Sequence, residues 1–179
     1  HGVFRRQRQM CIRDRLLVEK KKSKNRLLKE HSFPRSTRVV CVISIKDMNV
    51  RDFLIDGLGS LGVGCIVVGG SHYDLDHVSG VDRLRKDHLY GADFFVNDNE
   101  TKDIDVMKLL SHGIVPIMPE KNNFTSLLKQ FNPIAFSGNS FLYNKNDKYN
   151  IFASVVSLLE NMKFPADYKM LLKNVCDAT

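Results

Sequence analysis

Closely spaced cysteines are absent from this chain. Cys11, Cys41, Cys65 and Cys176 are scattered with no CxxC pair. That argues against a zinc site and a secreted disulfide framework, and implies a reducing, intracellular setting. No apolar run approaches the roughly 20 residues that span a bilayer, and the start has no signal-peptide core, so a soluble protein with no membrane partner is expected. Acidic residues are scarce at the front, where residues 1–38 hold 13 Lys and Arg against 3 Asp and Glu. The net charge of +7 therefore belongs to this arm, and the rest of the chain is slightly acidic. A basic arm can bind nucleic acid or anionic lipid. Here only Phe4 and Phe33 are interleaved with it, so the expectation is a solvated arm without fixed structure, and no nucleic-acid partner. Internal repeats and low-complexity segments are lacking too.

What is present suits one α/β domain: 179 residues, 43% of them hydrophobic, are enough for a real core. The chain begins with His1, and Arg5 to Asp14 resembles a translated sequencing-adapter read. Residues 1–19 are accordingly set aside as a basic tail of partly artefactual origin, and residues 20–179 are expected to form the domain, truncated at its last helix. Loose helical spacing from Leu16 to His31, ahead of Pro34, predicts a helix. Arg38 to Ser44 is a continuous β-branched run, the mark of a strand buried on both faces. Asp47 is placed to cap a helix from about Asn49 to Leu61; Cys65 to Val68 reads as a second buried strand, closing on Gly69-Gly70. This is a βαβ unit.

After a polar stretch to Leu89, strands are predicted over 93–96 and 114–118, with a helix over 104–112 between them. A short helix over 124–130 follows, then a Gly-containing turn and short strand over 136–143. A strongly amphipathic helix runs over 150–162 and is ended by Pro165, and a last helix covers 168–175. Four short strands separated by helices predict a doubly wound parallel sheet.

The order of these segments resembles the carboxy-terminal domain of the glycogen and starch synthases, from about Lys20 to Asp177. Lys24-Asn25-Arg26-Leu27-Leu28 is similar to the family's Lys-rich helix ahead of the first strand. Tyr90-Gly91-Ala92-Asp93-Phe94-Phe95 resembles its "YAGADxFL" strand. Glu100 stands thirteen residues before Gly113, as the acidic residue of "EPCGLTQ" stands before "YGTVPI". Gly138 to Tyr143 resembles "GNGFLF", and Phe164-Pro165 and Leu172 to Val175 resemble the closing helices. The resemblance implies a Rossmann-like, GT-B half that binds ADP-glucose or UDP-glucose for transfer to an α-1,4-glucan acceptor. It also implies a missing amino-terminal glycosyltransferase half, no cofactor, and a cytoplasmic or plastid location.

The resemblance also implies a site. The leaving diphosphate needs Lys or Arg side chains and helix N-terminal amides, but Ser44 and Asn49 stand where the family has Arg and Lys. Lys46 lies between them as the remaining candidate phosphate ligand, although its long stem suits solvent equally well. Glu100 would orient a glucose hydroxyl, since a carboxylate accepts strong hydrogen bonds. Asp103 and Ile104 replace the residues whose backbone approaches the sugar; Asp103 and Asp105 alternatively just favour a helix start. Asn122 and Asn123 align with a Gly-rich turn, and Asn tolerates positive φ better than most residues. Between Gly70 and Tyr90 the chain is shorter than the family by about a strand and a helix, including a base-stacking aromatic that Tyr73 or Tyr90 would have to replace. The isolated chain is therefore expected to be impaired as a catalyst, and a non-catalytic α/β module binding glucan or a partner protein is the alternative. His72, Asp74, Asp76 and His77, beside Ser71, invite a metal reading, but a polar loop explains them as well, and no metal is assigned. Gly69-Gly70 lacks the third Gly of a dinucleotide-binding turn.

Overall fold

The computed structural model describes residues 2–70 and 72–179, with side chains described from residue 15 onward. A continuous β-branched run can bury both faces only inside a sheet covered by helices. That is the environment of β1 (Val39–Ser44) and β2 (Val63–Val68), nearly all of whose residues are buried. With β3 (Val78–Val81), β4 (Phe94–Asn97), β5 (Val115–Pro119) and β6 (Phe141–Tyr143) they form a six-stranded, wholly parallel sheet in the order β3-β2-β1-β4-β5-β6. The helices α2 (Met48–Ser60), α3 (Lys86–Gly91), α4 (Val106–Ser111), α5 (Lys148–Met162) and α6 (Pro165–Asp177) complete a doubly wound α/β domain. Chain order reverses between β1 and β4, where connections leave to opposite sides.

The front helix α1 spans Gly2–Glu30, so the helix expected from Leu16 to His31 is present and extends back through the arm ahead of it, where unstructured chain was expected. No proline interrupts it before Pro34, and Arg, Gln, Leu and Lys are strong helix formers. From Lys20 onward its side chains reach the residues ahead of β4 and β5. The buried Lys20 ammonium donates to the carbonyls of Ala92 (2.8 Å), Gly113 (3.2 Å) and His112 (3.4 Å), the residues leading into β4 and β5. Burial lowers its pKa to about 8.

Other expectations change in detail. The four strands of the expected sheet and the short strand within 136–143 are all present, and β3 is added. The polar stretch before Leu89 contains β3 and the start of α3, so the abbreviated segment keeps a strand and a helix in reduced form. The segment 124–130 forms turns instead of a helix. Its backbone is drawn off by the β6 approach: Asn139 exchanges bonds with Lys129, and Ser140 Oγ donates to the Lys129 carbonyl. Pro165 does not merely stop α5. It occupies the first turn of α6, where its missing N–H costs nothing. The turn before β6 depends on Gly138, whose φ is 83°; a Cβ there would lie 2.1 Å from the Gln130 carbonyl oxygen.

Candidate functional site

In open α/β sheets the ligand crevice lies outside the carboxyl ends of the strands at the order reversal. Here that place is defined by Ser44 of β1 and Asn97 of β4, which face each other in register. Both are buried and polar. The Ser44 hydroxyl is 2.6 Å from that of Thr101, and Asn97 Nδ2 donates to Thr101 Oγ1 (3.0 Å) and the Ser44 carbonyl (3.3 Å). From β6 the Tyr143 hydroxyl donates to the Asn97 carbonyl at 2.9 Å. Burial, then the charges of Asp98 and Glu100, push that phenol's pKa up.

The loop above this base is organised by Asp98. Its buried carboxylate accepts the backbone N–H of Lys46 (2.6 Å), Glu100 (3.0 Å) and Thr101 (3.2 Å), tying the β1 and β4 exits together. Asp98 was not singled out by sequence. The available signal was the polar run Asn97-Asp98-Asn99 closing an apolar strand, since Asn and Asp side chains bond backbone amides just ahead.

On this platform Lys46 Nζ and Glu100 Oε2 stand 3.8 Å apart, with 73% and 56% of their side chains exposed. Such a pair adds little to stability, and both groups are open to solvent. Asn123 joins the same rim, its N–H reaching Asn99 Oδ1 at 3.5 Å; Asn99 adopts a φ of 63°. Asn122 is turned into its own loop, donating to the Pro119 carbonyl and accepting from Phe124 N–H, both at 2.6 Å. Asn49 sits in the first turn of α2, its N–H bonded to the capping Asp47 at 2.8 Å. Ile104 packs half-buried on the core, and Asp103 lies near Gly69 at the exit of β2, its Oδ2 3.4 Å from where a Cβ on that glycine would be.

The aromatic candidates Tyr73 and Tyr90 are held by other contacts. Tyr73 packs on the core beside Gly70 with its hydroxyl buried and without a hydrogen bond, and burial raises its pKa. Tyr90, in the last turn of α3, makes an edge contact with His112. His77 turns toward α2, its Nε2 3.1 Å from the Ile55 carbonyl. Ser71 lies outside the described residues, and among the described residues no group of three or more His, Cys, Asp or Glu is placed to hold a metal ion. No described helix is long and apolar enough to cross a membrane.

No protein-family model matches the chain, and no curated protein matches it in sequence. Solved structures do match in fold. The catalytic domain of starch synthase IV from Arabidopsis thaliana, bound to ADP and acarbose, is similar over 90% of this chain and 39% of its own, with a TM-score of 0.68 at 13% identity. Sucrose-phosphate synthase from Thermosynechococcus elongatus is similar over 84% of this chain and 42% of its own (TM-score 0.58, 12% identity). The carboxy-terminal CMP-Kdo binding domain of WaaA from Acinetobacter baumannii is similar over 90% and 98% respectively (TM-score 0.54, 13% identity). The fold is thus that of a GT-B glycosyltransferase carboxy-terminal domain, and the chain spans about two fifths of the two synthases.

Proposed function

We propose that this chain is the donor half of a GT-B glycosyltransferase, binding a nucleotide-glucose for transfer to an α-1,4-glucan, with a weak hold on the diphosphate. The observation that carries this reading is the Lys46–Glu100 pair, exposed above the β1–β4 reversal. Glu100 would accept hydrogen bonds from sugar hydroxyls, and Lys46 would offer the developing diphosphate its cation. Starch synthase IV, similar in fold, was solved with ADP, and the WaaA domain is named for binding CMP-Kdo; both fit a nucleotide-sugar reading. Acceptor binding and the remaining catalytic groups would come from a partner half.

A second reading, a non-catalytic module binding glucan or a protein, is favoured by one observation. Ser44, where a cation would be wanted, is uncharged, buried and engaged with Thr101.

Calorimetric titration with ADP-glucose, UDP-glucose, ADP and UDP at low salt, where weak phosphate contacts are least screened, separates the two. Saturable binding lost in both Glu100→Ala and Lys46→Ala supports the donor half. No binding up to millimolar nucleotide leaves the module.

A further inference from the structure

Away from that crevice, on the sheet's β3 edge, lies an open cavity of about 760 Å³ lined in part by His31, Ser79, His72 and Tyr73. His31 and Ser79, two of its lining residues, belong to a row of hydrogen bonds. The Arg85 N–H donates to His88 Nδ1 at 3.0 Å, His88 Nε2 is 2.9 Å from His31 Nε2, and His31 Nδ1 is 2.7 Å from Ser79 Oγ.

The first of these bonds fixes every proton in the row. A backbone N–H can only donate, so His88 Nδ1 carries a lone pair and the neutral ring carries its proton on Nε2. His31 Nε2 must then accept, which puts the His31 proton on Nδ1, pointing at the Ser79 oxygen. This rules out the catalytic reading of a Ser–His–His row. His31 gives a proton to Ser79 and has no lone pair facing it, so it is no base for that hydroxyl. It also leaves no place for another proton. One on His31 Nε2 would meet the His88 N–H head-on, and one on His88 Nδ1 would meet the Arg85 N–H.

We propose that His31, His88 and Ser79 form a proton-sensitive clasp that holds the end of α1 to α3 and β3 while both imidazoles are neutral, and opens the cavity wall when either ring is protonated. The charged surroundings are few. Glu30 beside His31 is ion-paired with Arg85, Arg26 pairs with Asp87 at 2.9 Å, and His72, Asp74 and Asp76 line the cavity opposite. The Arg85 partnership keeps the Glu30 carboxyl below its usual range, so it stays ionised in mild acid. Burial foremost lowers both histidines, His88 to about 4 and His31 in the same direction. Lowered histidine values mean that the open state binds more protons. The clasp is therefore complete above about pH 6.5 and is lost as pH falls from there toward 4.

Hydrogen exchange of the full chain, measured at pH 7.5 and 5.5 and corrected for intrinsic rates, tests this. Amides at the end of α1 and in α3 should exchange about tenfold faster or more at the lower pH, relative to β1 and β4. In the double variant His31→Phe, His88→Leu that pH dependence should vanish. Should the variant not fold, ring ¹⁵N spectra of the wild type decide: His88 protonated on Nε2 and His31 on Nδ1 at pH 7.5 uphold the clasp. Another tautomer pair, or unchanged relative protection at pH 5.5, overturns it.

Discussion

The Lys24 ammonium lies 2.5 Å from one oxygen of the Asp93 carboxylate, and the other accepts the Val40 N–H at 2.9 Å. A single carboxylate, 4% exposed, thereby joins α1, β1 and the lead into β4. The Tyr168 hydroxyl of α6 is buried beside it, and burial together with the Asp93 charge raises that phenol's pKa. Removing one member of a buried pair leaves the other charge uncompensated. Lys24→Met strands the buried Asp93 carboxylate and is expected to lower unfolding stability by about 3–5 kcal/mol in urea titration, more than Asp93→Ala, which leaves behind an ammonium that is partly hydrated.

Asp98 should matter for stability as well as for the crevice. Asp98→Ala strands three amides and is expected to cost about 2–3 kcal/mol. In amide NMR spectra the accompanying shifts should concentrate at Lys46, Glu100 and Thr101, with the sheet core unchanged.

At Gly138 the positive φ and the 2.1 Å approach to Gln130 act together. Gly138→Ala should lower thermal stability by at least about 1–3 kcal/mol. An unchanged melting temperature would contradict the turn described.

Cys41 and Cys65 are in-register neighbours on β1 and β2, both buried. Burial pushes the Cys65 thiol up to about 12 and the Cys41 thiol upward as well. Neither should be alkylated by iodoacetamide at pH 8 in the folded chain, and both should be in urea, as peptide mass spectrometry will show.

The sheet centre was legible because each of its strands is a run of apolar residues, and α2 because Asp47 announces its start. Edge strand β3 was not. Val78-Ser79-Gly80-Val81 has no apolar run, and only its first residue is buried. The helix expected over 124–130 failed because its backbone partners come from residues 139 and 140, a tertiary preference that local spacing does not reveal. Glu100 stood out by its distance from Gly113. Asp98 did not, since its role exists only once the ends of β1 and β4 are side by side.

That carboxylate bears on any anion arriving at the strand exits. Three N–H donors there already hold a negative charge belonging to the chain, so an incoming phosphate must displace it or bind beside it against repulsion. An anion that takes the displacing route meets a competent site only in the fraction of molecules where that side chain has swung away, and its apparent affinity falls by that fraction.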